Sequence, residues 1–290
     1  MDFKEINYNT ASELWEALSP TRSFFDEPYE AVYRGQGNAQ WGLIPSLLRN
    51  EDTNPLLHFM GKRSSANELI FTEVNLLESF AGYCDAVGVR IPNDSIKFRN
   101  EILNSQVQDQ FYIRPELWPN SELLELMALA QHHGVPTRLL DWTRQPYVAA
   151  YFAVSSAMNG HKNWQKDSRL AIWILDAVRM DIYSSIKLVR VPGSTSKHVS
   201  AQSGLFTVHP HNGNRGQDFK VSGLEYELSS LPETPLIKLT LPVSEVSRLY
   251  RLCLKAGING ATIYPSADGA GKAVHDSINA REISTKDIFI

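Results

Sequence analysis

The chain has 290 residues, 43% of them hydrophobic and 21% charged, the balance of a soluble globular protein with enough apolar side chain for a real core. A formal net charge of -4 and a pI of about 6.1 give no global drive toward nucleic acid or an acidic membrane surface. No apolar run reaches the ~18 residues that a bilayer span needs. With no secretory h-region at the start, Cys84 and Cys253 are expected to be reduced core thiols in a cytoplasmic protein.

In chain order, Thr10 followed by Glu13 predicts a capping box that opens a short helix. Glu30–Arg34 reads as a strand ending in Gly35-Gln36-Gly37, where glycines allow tight turning and close approach of a ligand to the backbone. A loop from Trp41 leads to a short helix near Pro45. Helical periodicity covers Asn67–Ala86 and Ser121–His132, with another helix expected at Ser95–Leu103. Gly134 and Pro136 stop the 121–132 helix, and Pro146 suits the first turn of the next, Tyr147–Met158. Leu170–Leu175 is a continuous apolar run, hence a buried strand. Leu205–Val208, Leu236–Leu241 and Ala261–Tyr264 read as further strands, Val246–Ala256 as a helix stopped at Gly257, and Gly271–Ile278 as a last helix. Lys187–His198 and His209–Glu225 are rich in Gly, Ser and charge and are expected to be mobile loops. Helices mixed with well-separated strands, without regular β-α alternation, predict one α+β domain over 1–290 with a helical insertion at about 50–120.

The chemistry concentrates in Gln131–Ala153, QHHGVPTRLLDWTRQPYVAAYFA. Burying Gln131, His132, His133, Thr137, Arg138, Asp141 and Thr143 so close together is costly unless each finds a partner, and a site is the natural reason to gather them. Arg34, Gln36, Gln131, Arg138 and Asp141 are therefore expected to converge on one cleft. His132 and His133 point about 100° apart on a helix and do not suit one metal ion. Neither a Walker A loop nor a Gly-x-Gly-x-x-Gly fingerprint is present, and Ser203 lacks the frame of a nucleophile elbow.

Several stretches carry a resemblance. Tyr33-Arg-Gly-Gln-Gly, Trp41-Gly-Leu-Ile-Pro-Ser-Leu-Leu-Arg49, Ala130-Gln-His-His-Gly-Val-Pro-Thr-Arg-Leu-Leu-Asp-Trp-Thr143 and Tyr151-Phe-Ala153 resemble the FRG domain, a bacterial and phage family named for its Phe/Tyr-Arg-Gly motif. Gln202-Ser-Gly-Leu-Phe206 and Ala261-Thr-Ile-Tyr-Pro-Ser-Ala-Asp-Gly269 are similar to its C-terminal motifs, so the likeness spans roughly residues 25–280. The family name does not by itself fix an activity.

A second similarity suggests one. Arg34-Gly35 at a strand end resembles the opening motif of ADP-ribosyltransferases, whose Gly backbone holds the nicotinamide carboxamide and whose basic side chain holds the NAD ribose or phosphate. Ala150-Tyr-Phe-Ala153 and Ser155-Ser-Ala157 resemble the segment in poly-ADP-ribose polymerase-like members whose Tyr stacks on the nicotinamide. This similarity implies a split or mainly antiparallel sheet and NAD as substrate. Taken together with the polar cluster, it leads to Arg34, Asp141, Tyr151 and Gln202 as the expected catalytic residues. NAD contacts are expected at Arg34, Gly35, Gln36, Gln131, Thr137, Arg138 and Tyr151. The late-strand Glu of those enzymes has no evident counterpart, which leaves Gln202, Glu225, Glu227 and Asp268 open. The expected partners are a macromolecular acceptor (protein, RNA or DNA) and an antitoxin or regulatory protein, as for a toxin or antiphage effector; no membrane is implied.

Each residue also has a plainer reading. Arg34 can pair with Asp141 merely to lock the fold, Asp141 can cap a helix at Trp142–Gln145, and Tyr151, Trp41 and Trp142 can be core. The alternative to an enzyme is a non-catalytic regulatory domain that uses the Arg34–Asp141 pocket to hold a nucleotide or peptide.

Overall fold

The computed structural model describes residues 3–26, 29–49, 65–183, 186–190, 202–229, 231 and 233–286. Its frame is one seven-stranded sheet of order β1-β7-β4-β2-β3-β6-β5. The strands are β1 (Lys4–Asn7), β2 (Ala31–Gln36), β3 (Leu139–Thr143), β4 (Arg169–Asp176), β5 (Lys187–Val189), β6 (Gly204–Val208) and β7 (Leu236–Pro242). Only the β1–β7 pair is parallel, so the expected mixed α+β fold with a mainly antiparallel sheet is what forms.

The helices are α1 (Ala11–Ala17), α2 (Ala66–Ala86), α3 (Asp109–Ile113), α4 (Leu124–His132), α5 (Pro146–Asn159), α6 (Ala177–Tyr183), α7 (Leu224–Ser229), α8 (Val246–Lys255), α9 (Gly260–Ile263) and α10 (Ala267–Lys286). Local chemistry sets many of their ends. Thr10 and Glu13 form the expected capping box, Pro146 occupies the first turn of α5, and Gly134 and Gly257 take positive φ after α4 and α8. Within the expected helical insertion, residues 50–64 lie outside the described part. From Ala66 on the segment is helical, with a π-turn at Phe98–Ile102.

β4 is covered on both faces, which is why it reads as an unbroken apolar run. Leu170, Ile172 and Ile174 pack with α5 and α8 on one side; Trp173 and Leu175 pack with Val32, Leu43 and Leu224 on the other. The helices after residue 66 bring Ile70, Val74, Leu123 and Met127 onto Leu139, Phe206 and Val208. Cys84 and Cys253 are free, buried thiols.

Helix α5 lies on β2 at backbone contact. A Cβ built on Gly35 would run into the Ala149 carbonyl oxygen and stand 2.6 Å from Ala153 N; one on Gly37 would stand 2.5 Å from Ala157 N. Ala149, Ala153 and Ala157 recur every four residues and form the small-residue stripe that matches these glycines.

Several expectations are corrected. Ala261–Tyr264 is not a strand: Asn259 accepts from Ala261 N and Thr262 N, and this cap turns the segment into α9. Asp141 does not cap a helix; it lies within β3, and Thr143 Oγ1 accepts from Gln145 N ahead of α5. Lys187–Val189 is strand β5, while 191–198 lies outside the described residues. The stretch from 209 to 223 is a loop as expected, but it is not all at the surface, since His209 and His211 are buried. Trp142 is core, but Trp41 is 52% exposed. Tyr151 is fully buried in the α5–α10 interface, where its hydroxyl donates to Asp276 Oδ2 at 2.6 Å beside Ser155, which donates to Oδ1 at 2.9 Å. Burial first, then the bond to Asp276, raises its pKa.

Candidate functional site

β2 and β3 pair at a single register position, Tyr33 opposite Thr143. Beyond it no further pair joins the two strands. A cleft of about 350 Å³ lies there, lined by Arg34, Gly35, Gln131, Asp141 and Gln202 and walled by Phe152 and Tyr264. The volume is at the small end of ligand pockets.

Arg34 reaches across the cleft. Its Nη1 donates to the Asp141 carbonyl oxygen at 2.8 Å and to Asp141 Oδ2 at 3.4 Å. A relay from α4 holds the other carboxylate oxygen: Gln131 Nε2 donates to Asp141 Oδ1 at 2.7 Å, the Thr137 hydroxyl donates to Gln131 Oε1, and Thr137 Oγ1 accepts from Leu139 N at 3.2 Å. The Gly134–Pro136 turn makes this relay by folding the chain from α4 back into β3. The Arg34 side chain is 13% exposed and that of Asp141 57%, so the carboxylate faces the opening while the guanidinium backs it. Arg34 Nε is buried with no hydrogen-bond partner among the described residues.

A second cation completes the cluster. Arg49 Nε donates to Ile44 O at 3.1 Å, which fixes its head. Its pKa is held below the usual value by the enclosing protein and then by the Arg34 charge, with Asp141 opposing. Arg34 and Arg49 both line an adjoining cavity, and two guanidiniums against the one Asp141 carboxylate leave net positive charge there, suited to an anion. Tyr264, in T-shaped contact with Phe152 at 6.2 Å, has its pKa pushed up to about 12 by burial and then by the Asp141 charge. Arg49, Phe152 and Tyr264 were not singled out in the sequence, although each stands inside one of the quoted motifs.

The other expected residues divide. Gln202 lines the cleft, with its backbone carbonyl accepting from the Thr143 hydroxyl at 2.6 Å and its Nε2 donating to Ile263 O at 3.4 Å. Gln36 faces an adjoining cavity and is committed to structure: Trp173 Nε1 donates to its Oε1 at 2.8 Å, and its Nε2 donates to Gly42 O at 3.1 Å. Gly35 borders the cleft, yet its missing side chain is demanded by α5. Tyr151 does not line the cleft; on the helix its neighbour Phe152 does. Glu225 is buried, accepting from Leu43 N at 2.8 Å, Glu227 accepts from the Ser222 hydroxyl, and Asp268 borders a separate surface hollow. Among the described residues, Asp141 is the one carboxylate that lines the cleft.

Arg138 is absent from the cleft. It is fully buried and ion-paired with Glu73, Nη2 to Oε2 at 2.6 Å, while Trp118 Nε1 donates to the same oxygen at 2.7 Å. Its Nη1 donates to His209 O at 3.3 Å and its Nη2 to His211 Nδ1 at 3.1 Å. Burial first, then the Arg138 charge, lowers His209 to about 4 and His211 to about 3. Both stay neutral in the fold, whereas the unfolded chain takes up protons near pH 6.5. Stability is therefore full above that pH and falls as pH drops toward 4, at up to ~1.4 kcal/mol per pH unit for each histidine. Denaturant midpoints measured from pH 7 to pH 5 should fall steadily; a flat profile would refute neutral burial of the pair.

The family model of the FRG domain matches residues 29–162, a span that includes Arg34, Arg49, Gln131, Asp141 and Phe152. Motif resemblance and this match agree on the FRG family for that span. No curated protein and no solved structure matches the chain. Among the described residues, no helix is long and apolar enough to cross a membrane.

Proposed function

We propose that the cleft binds NAD and that the protein is an ADP-ribosyltransferase acting on a macromolecular acceptor, in the cytoplasm. The observation that carries this reading is the Arg34–Asp141 pair at the parting of β2 and β3, a basic clamp and an exposed carboxylate in one aromatic-walled cleft. The ADP-ribosyltransferase similarity of Arg34-Gly35 is supported by this position. The similarity of the Tyr-Phe-Ala segment to a stacking tyrosine is not, because Tyr151 is core.

The residues suit the chemistry. In such a transfer the bond from ribose C1′ to the nicotinamide nitrogen breaks and nicotinamide leaves with the electron pair. The acceptor nucleophile then bonds to C1′ and gives up its proton. Positive charge builds on the ribose in the transition state. Asp141, held by Arg34 and Gln131, is the carboxylate positioned to oppose that charge. Arg34 and Arg49 would neutralise phosphate, and Phe152 and Tyr264 offer the wall for a planar ring. The Asp141 carboxylate already accepts two hydrogen bonds, and this favours the second reading, a nucleotide-binding domain without turnover.

Incubation with isotopically labelled NAD and cell lysate separates the readings. Turnover releases nicotinamide and labels an acceptor, and Asp141→Asn should abolish both while NAD still binds. Binding without nicotinamide release would leave the regulatory reading. Arg34→Ala should weaken NAD binding by tenfold or more, since charge-assisted hydrogen bonds contribute ~1.5–3 kcal/mol each. Its melting temperature should change little, because the Asp141 carboxylate left behind is 57% exposed and stays hydrated. A large drop in melting temperature with unchanged NAD affinity would make Arg34 a purely structural residue.

A further inference from the structure

A second cavity, of about 550 Å³, adjoins the first and shares Arg34, Gly35 and Ser156 with it. Its outer wall is Trp41, with Ile44, Leu48 and Val221 as an apolar floor. Trp41 is 52% exposed, an unusual place for an indole. The loop carrying it is pinned: Asn38 O accepts from Trp41 N at 3.2 Å, Asn38 Oδ1 accepts from Gln40 N at 2.9 Å, and Ala39 N donates to Arg169 O at 2.7 Å. The ring is thus presented by a fixed turn. Arg49 also lines this cavity, so the cationic centre stands between two aromatic-walled spaces, Phe152 and Tyr264 on one side and Trp41 on the other.

We infer that the two cavities are the halves of one dinucleotide site, with Trp41 as the stacking platform for the second base. This rests on the NAD reading above and assigns its orientation. The nicotinamide–ribose half belongs beside Asp141, the lining carboxylate; the pyrophosphate lies over Arg34 and Arg49; the adenine lies on Trp41. An aromatic face receives any base, and two guanidiniums are matched by two linked phosphates. The Arg34 Nε donor, buried without a partner, and the mutual repulsion of Arg34 with Arg49 both point to an anion at the junction.

Calorimetry with NAD, AMP and nicotinamide mononucleotide tests this on the full chain. Trp41→Ala should weaken NAD and AMP at least tenfold and leave nicotinamide mononucleotide unchanged, with Trp41→Phe restoring most of the loss. Phe152→Ala should do the reverse, weakening NAD and the nicotinamide half while sparing AMP. Melting curves confirm that each variant is folded, which the exposure of Trp41 favours. Wild-type NAD affinity in Trp41→Ala overturns the two-lobed site and leaves the NAD reading standing. A wild-type protein that binds neither NAD nor AMP overturns both.

Discussion

Glu73→Ala is expected to destabilise the protein by ~3–5 kcal/mol, the usual cost of stranding one member of a buried ion pair. Glu73 on α2 and Arg138 at the entry to β3 are 1% and 0% exposed, and no water reaches either to replace a lost partner. Without the carboxylate, the guanidinium keeps only His209 O and His211 Nδ1, and the Trp118 indole N–H loses its acceptor. Such a loss is a large part of the ~5–15 kcal/mol that stabilises a typical domain. Arg138→Met alone should be similarly damaging, since it leaves Glu73 charged and buried. The double variant Glu73→Leu with Arg138→Met should recover much of the loss, because neither charge is then stranded. Urea unfolding of the three proteins gives the comparison. If the double variant is as unstable as the sum of the singles, the pair does not act as a unit.

This network shows where the sequence was legible and where it was not. Caps, prolines and apolar periodicity are local, so Thr10, Pro146 and the Leu170–Leu175 run declared their elements correctly. β3 was hidden because its five residues include Asp141 and Thr143, and its strand character comes from pairing with β6, more than sixty residues on. Missing that strand placed Arg138 wrongly. In extended chain, residues an odd number apart point to opposite faces, so Arg138 and Asp141 part company: one enters the core with Glu73, the other faces the cleft. The Tyr151 error has the same origin on a helix, where one step turns the side chain by about 100° and exchanges Tyr151 for Phe152. Ala261–Tyr264 misled through its β-branched and aromatic content, which the Asn259 cap overrides. Arg34 and Asp141 do meet as expected, because both were taken from dense polar clusters, and their pairing did not depend on knowing which element carried them.

Gly35→Ala is expected to damage stability and ligand binding together. The added methyl would collide with the Ala149 carbonyl and the Ala153 amide, backbone atoms that no rotamer change can move aside. Relief requires lifting α5 from β2, and overpacking of this kind costs ~1–3 kcal/mol, or more where backbone must shift. The lifted helix carries Phe152 and Ser156, which line the cleft, so NAD affinity should fall even though Gly35 contributes no side chain. Gly82 supplies the contrast. It lies within α2, and a Cβ there would meet nothing within 4 Å. Gly82→Ala should therefore stabilise the helix by up to ~1 kcal/mol and leave the cleft untouched. Melting curves and NAD titrations of the two variants side by side make the distinction. If Gly35→Ala melts like the wild type, backbone contact between α5 and β2 is not what requires glycine there, and close approach of a ligand to the strand becomes the better reason for it.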